Sequence, residues 1–148
     1  MPLILTSGPV AEPVSLAETK AHLRIDGADE DALIGSLIVA ARMHIEHALD
    51  LALITQNWSL YLDAWPVGPV DLPLGPVQAI NNVRLYAVNA AVTTLTANQY
   101  QLDAASRPAR LAPVNVTWPA PGRAVNGIEI AFTAGYGASG ADVPQPLR

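Results

Sequence analysis

Proline divides this chain into two regions that fold by different rules. Three of its 13 prolines lie in the first 13 residues, none falls between Val14 and Trp65, and ten follow. Proline removes a backbone donor and breaks helix interiors, so the free stretch can hold long helices while the remainder must turn often. Charge shifts at nearly the same point. Residues 1–52 carry eight acids and three bases, which accounts for the whole formal net charge of -5, and the rest balances five against five. The expected fold class is α+β, with an N-terminal helical part (a short helix plus a long helix) over residues 1–52. An antiparallel β-subdomain of short strands follows over 53–140, then a C-terminal segment with a helix start over 141–148, together one domain.

Ser15 and Glu18 form an S-x-x-E capping box, in which hydroxyl and carboxylate each satisfy a free backbone donor, so a first helix is expected from Leu16 to about Arg24. Asp26, Asp29, Glu30 and Asp31 then crowd the start of a second helix, where carboxylates favour the positive end of the helix dipole. The same acids lack the alternate-position ligands and distal Glu of a calcium loop. From Asp31 to Asp50, Leu33, Ile34, Leu37, Ile38, Ala41, Ile45, Ala48 and Leu49 recur at spacings of three and four. They predict one broad core-facing stripe. On the opposite side Ala32, Ser36, Val39 and Met43 fall together, where a solvated helix would carry Lys, Glu and Arg. Burial on both sides is expected, either by the rest of the chain or by a neighbouring subunit, and these four are the candidate subunit-contact residues.

After Leu53 the period changes to two. Ile54 to Leu62 reads as a strand with Trp58, Leu60 and Leu62 on one face. Val70 to Leu72, Ile80 to Ala87, Val92 to Leu95 and Tyr100 to Asp103 are shorter candidates, with Asn89 to Ala91 a hairpin tip. Breaks around Pro108 and through Trp118–Gly122 precede Asn126 to Thr133, where Ile128, Ile130 and Phe132 alternate with Glu129, Ala131 and Thr133.

Composition closes several routes. Half of the chain is apolar (51 %) but only 14 % is charged, against about 25 % in an average globular protein, so part of the surface is expected to lie against other protein. Cysteine is absent, which removes disulfides, thiolate metal sites and a thiol nucleophile. His44 and His47 are three apart on the long helix, yet no H-E-x-x-H pattern or third ligand accompanies them, and His44 reads as a boundary histidine. Gly135, Gly137 and Gly140 spell G-x-G-x-x-G, but eight residues beyond Gly140 leave no room for a βαβ unit, so the glycines read as a flexible strand exit. No G-x-S-x-G is present. The expectation is no catalytic, cofactor or metal residue. Bases are scattered singly, which disfavours grip on a phosphate backbone. The densest apolar run, Leu37 to Ala41, is too short to span a bilayer, and no signal peptide opens the chain, so a soluble, unprocessed protein is expected.

Several segments in order resemble one family. Val14 to Asp26, Asp31 to Ile34 with Ala40 to Arg42, Ile54 to Trp58, Leu72 to Val77, Phe132 to Gly137 and Asp142 to Pro144 together are similar to the head-tail connector, or adaptor, proteins of tailed phages and gene transfer agents. The resemblance implies a structural protein of the virion neck, assembled in the host bacterial cytoplasm. Such proteins form a ring, usually of twelve copies, between the portal at the capsid vertex and stopper or tail components, around a channel through which DNA passes without specific binding. It implies no reaction, no cofactor and no membrane. In that family the stretch matching Asp142–Arg148 introduces a C-terminal helix that helps engage the portal, which makes Asp142, Val143, Leu147 and Arg148 the candidate portal contacts. The stop at Arg148 implies a truncated or processed form, or a reduced contact. Two other classes stay open on the residues alone: a small soluble oligomeric binding module unrelated to virions, and a small enzyme, which would need a pocket of convergent titratable groups.

Overall fold

The computed structural model describes residues 1–114 and 117–148. In chain order the elements are β1 (Leu3–Ser7), α1 (Leu16–Leu23), α2 (Asp31–Leu49), β2 (Gln56–Leu62), β3 (Val70–Leu72), β4 (Val77–Tyr86), β5 (Val92–Thr94), β6 (Tyr100–Asp103), β7 (Ala109–Pro113) and β8 (Ile128–Ala134). This is the α+β arrangement expected. The capping box opens α1 as the sequence requires: Ser15 Oγ accepts from the Glu18 N–H at 3.1 Å and Glu18 Oε2 accepts from the Ser15 N–H at 2.8 Å. Arg24, at φ 58, ends α1 in the left-handed region, and Asp50, at φ 52, ends α2 in the same way. Lys20 Nζ donates to Asp31 Oδ1 and ties the two helices together.

All named strand pairs are antiparallel. They form a five-stranded sheet in the order β1-β2-β8-β4-β5 and a three-stranded sheet in the order β3-β7-β6. The alternation in β2 and β8 sets the register, with Trp58 opposite Phe132, Leu60 opposite Ile130 and Leu62 opposite Ile128. These side chains meet Val70, Leu72, Ala109 and Leu111 of the smaller sheet in one continuous core, a β-sandwich. Ser59, Tyr61 and Glu129 alternate with them and face the other way.

Three expectations are corrected. β1 and β7 were not anticipated: Leu3–Ser7 lies within the N-terminal helical part yet forms the edge of the larger sheet, and β7 follows the break at Pro108 directly. The expected C-terminal helix start is only two single 3-10 turns, Gly140–Asp142 and Gln145–Leu147, because Pro144 and Pro146 withhold the donors a longer helix needs. The glycines after β8 serve close approach rather than flexibility. Gly135 sits at φ 135, and a Cβ there would strike the Ile54 carbonyl, while Cβ atoms at Gly137 and Gly140 would strike Asp142 and Pro13.

Candidate assembly surfaces

The long helix α2 is turned inside out. Only Ile34 and Ile38 are buried along it, with Ile45 half-buried. Leu33, Leu37 and Met43 are each more than half exposed, and Val39 is exposed beside them. Ala41, Ala48 and Leu49 also lie outside, so the broad stripe expected to be core is a narrow one. What the helix turns inward is charge. Arg42 and Glu46 keep only 11 % and 12 % of their side chains exposed.

These two residues anchor a polar network between α2, the segment before α1, and the start of β2. Arg42 donates from Nε to Glu12 Oε2 and from Nη1 to Glu46 Oε2, both at 2.7 Å. Glu46 Oε1 accepts from the Leu53 N–H at 2.8 Å and from Gln56 Nε2 at 2.7 Å. Every lone pair so used is one that burial would otherwise leave unsatisfied. Burial of the guanidinium opposes its charge, and the hydrogen bonds it donates to Glu12 and Glu46 outweigh that, so the Arg42 pKa lies above the ordinary arginine value. By length and composition α2 is also apolar enough to cross a membrane, which differs from the expectation drawn from Leu37–Ala41. The inward ion pairs fasten it to the body of the protein instead.

With its charge spent inward, the outer side of α2 carries no Asp, Glu, Lys or Arg between Asp31 and Asp50. Ala32, Ser36, Val39 and Met43 are all exposed there, next to Leu33 and Leu37. His44 and His47 are exposed as well, so His44 is no boundary histidine. The molecule exposes 8593 Å² for 15.6 kDa, where a compact monomer of this mass exposes roughly 7,200 Å². The surplus fits a subunit whose faces are covered by other protein.

The C-terminal candidates are distributed differently. Val143 is buried in a second small core with Leu53 and Ile54, against which Ile45, Tyr136 and Leu147 pack. Val143 is therefore not available as a surface contact, which corrects its place among the candidate portal contacts. Asp142 is exposed, but its carboxylate accepts from the N–H and hydroxyl of Ser139 at 3.0 and 2.9 Å, which holds its pKa below the usual carboxylate range. Arg148 donates from Nε to the Pro13 carbonyl at 3.1 Å and from Nη2 to Glu18 Oε1 at 2.7 Å.

Two further clusters complete the survey. On the outward face of the larger sheet, Glu129 is buried and accepts from Ser59 Oγ at 2.9 Å and from Tyr86 Oη at 2.5 Å, with Arg84 at 3.6 Å. Burial alone would raise its pKa, but these donors and the Arg84 charge more than offset that and hold it below the ordinary glutamate value. A cleft of about 400 Å³ lies between the end of α2 and the turns at Pro73–Pro76 and Ser106–Pro108. Its charged lining residues, Asp50 and Arg107, are not hydrogen-bonded to one another. Among the described residues no group of three or more His, Asp or Glu side chains comes together as a metal site would.

The Arg42–Glu46 network is the feature the sequence reading missed. Its only local signal is the i, i+4 spacing of the pair beside Ile38 and Ile45, because Glu12 lies 30 residues away.

This is the build of an assembly subunit, with an apolar outer helix held by buried charge. Residues 13–106 match the family model described as phage gp6-like head-tail connector protein, and the chain belongs to that family of structural head-tail connectors. Among solved structures, it is similar to a chain in the neck of an empty gene transfer agent particle computed with C6 symmetry. Identity there is 33 % and the TM-score 0.81, with 97 % of this chain and 76 % of that one covered. A chain in the neck of a native particle computed with C12 symmetry matches at 33 % identity and TM-score 0.77, covering 97 % and 75 %. A chain in the virion of a native particle matches at 29 % identity and TM-score 0.80, covering 97 % and 76 %. The structural likeness thus takes in β7 and β8, beyond the family match. No curated protein matches the chain.

Proposed function

We propose that copies of this head-tail connector close into a ring, of twelve by analogy with the C12 neck, between the portal on the head side and a stopper or tail component on the other. DNA passes through the ring without specific binding, and the protein catalyses no reaction. The single observation that carries the ring is the inverted α2, whose outer apolar face is a subunit contact with Ala32, Ser36, Val39 and Met43 at its centre. A closed ring needs a heterologous contact, one face of each copy seated on a different face of the next, and a continuous uncharged helix side is suited to be one of those faces. Asp142, Leu147 and Arg148 stand at the head-side end of the molecule in this reading, with Val143 supporting them from below.

The test is the double substitution Val39→Glu with Met43→Glu. Both side chains are exposed in the single chain, so the glutamates are solvated there and the fold persists. In a ring the same charges would be desolvated, at a cost of several kcal/mol per interface. Unchanged thermal unfolding together with loss of rings is expected. Normal ring assembly by the double variant would overturn the contact.

A further inference from the structure

Nearly every base in this molecule is spent within it. Lys20, Arg42, Arg84, Arg110, Arg123 and Arg148 each reach an acceptor of the same chain. Among the described residues only Arg24 and Arg107 do not. Each of these two has an acid close by whose carboxylate is equally without a partner among the described residues. Arg107 lines the cleft of about 400 Å³ at the end of α2 together with Asp50. Arg24 closes α1, two residues before Asp26.

The cleft is shaped to receive a short apolar element with charge beside it. Leu72, Val77 and Ala109 are buried members of its lining and give it an apolar floor. Leu49, 53 % exposed, also lines it and carries the apolar outer side of α2 up to its edge. Asp50 and Arg107 add one charge of each sign. The connection between α1 and α2 offers the matching set. Residues 26–30 are all exposed, and a Cβ on Gly27 would meet nothing within 4 Å, so this turn stands clear of the body. It presents Leu23, 52 % exposed, beside Arg24 and Asp26. Turn and cleft lie at opposite ends of α2, whose 19 residues separate them by about 28 Å. A chain cannot seat its own turn in its own cleft.

We propose that the cleft receives the Leu23–Asp26 turn of a second copy, with Arg107 against that copy's Asp26 and Asp50 against its Arg24. The proposal rests on the ring reading above and deepens it, because a heterologous contact needs two unlike faces and these are two that match in charge. Opposite signs at both positions admit one seating and oppose the reversed one, so the charges set the register of the contact while the exposed apolar side of α2 supplies area.

The experiment compares particles made with wild type, Arg107→Glu, Asp26→Arg and the combination of both, and quantifies this chain in the purified particles. Both positions are exposed, so thermal unfolding of each purified variant should match wild type. Each single substitution sets like charges against each other at every contact, and incorporation should fall about ten-fold or more. The combination exchanges the signs and should recover to within about three-fold of wild type. Normal incorporation of both single variants would overturn the proposal. So would a combination no better than the worse single variant, which would assign the turn or the cleft to a different protein. Asp50→Asn and Arg24→Asn give a second, independent cycle, since asparagine suits the left-handed backbone at both positions. Their losses should not add, and additive losses would also overturn the pairing. If wild-type protein forms no ring in particles, the connector reading itself fails, an outcome visible before any variant is compared.

Discussion

Arg42 Nη1 and Glu46 Oε2 lie 2.7 Å apart, one turn from each other on α2, on the side of that helix that faces the protein. The pair inverts the usual logic of an amphipathic helix, since charge is inside and Leu33, Leu37, Val39 and Met43 are outside. A buried ion pair is tolerated only where further hydrogen bonds satisfy its remaining atoms, and Glu12, Gln56 and the Leu53 N–H do this here. The network thus fixes the rotation of α2, and the rotation places the apolar face where another protein can cover it.

Glu46→Ala should strip three donors of their acceptor at once. The expected loss is about 3 kcal/mol, a fall in melting temperature of roughly 6–12 °C for a chain of this size. Thermal unfolding of the purified protein checks it. A change within a degree of wild type would mean the network does not hold the helix.

Val143→Ala should cost the single chain about 2 kcal/mol, because the valine fills a buried site between Leu53 and Ile54. Removing Asp142 to Arg148 altogether should lower the melting temperature further, whereas Arg148→Ala, which removes only the hydrogen bonds to Pro13 and Glu18, should lower it less. Equal unfolding curves for wild type and Val143→Ala would return the segment to the role of a loose tail.

The alternation in β2 and β8 was legible because burial on one sheet face imposes a period of two on Trp58–Leu62 and Ile128–Phe132. The Ser15–Glu18 box was legible because its chemistry is local. β1 was not, since five residues beside Pro2 show no turn signal that separates a strand from a tail. The direction in which α2 faces was not legible either. Apolar residues surround that helix, so periodicity locates stripes without saying which one is inside, and the deciding contact, Glu12 to Arg42, spans 30 residues. Of the candidate contacts, the exposed row on α2 could be read from composition. The burial of Val143 could not, because it depends on how residues 135–140 fold back over Ile54 and Pro13.

The acid limb of stability should depend on Glu129. Its pKa is lower in the folded protein than in the unfolded chain, so the unfolded state binds the proton first and stability falls as pH drops from the ordinary glutamate range through the folded value. Above that range the contribution is complete. Glu129→Gln should flatten the difference between stability at neutral pH and below pH about 4, measured by denaturant unfolding at each pH. A variant with the wild-type acid slope would show that other carboxylates carry it.

Nicotinamide and flavin nucleotides should leave the melting temperature unchanged, because Gly137 and Gly140 are packed against Asp142 and Pro13 rather than open to a phosphate. Gly140→Ala should lower it, since its Cβ would strike the Pro13 carbonyl. Saturable stabilisation by either nucleotide would contradict the packing account.

Imaging purified particles that carry this protein tests the central claim most directly. The account predicts a closed ring of this chain in the neck, with the α2 face of each copy covered by its neighbour and the C-terminal segment toward the head. A neck without this chain, or a ring in which Val39 and Met43 face solvent, would contradict it.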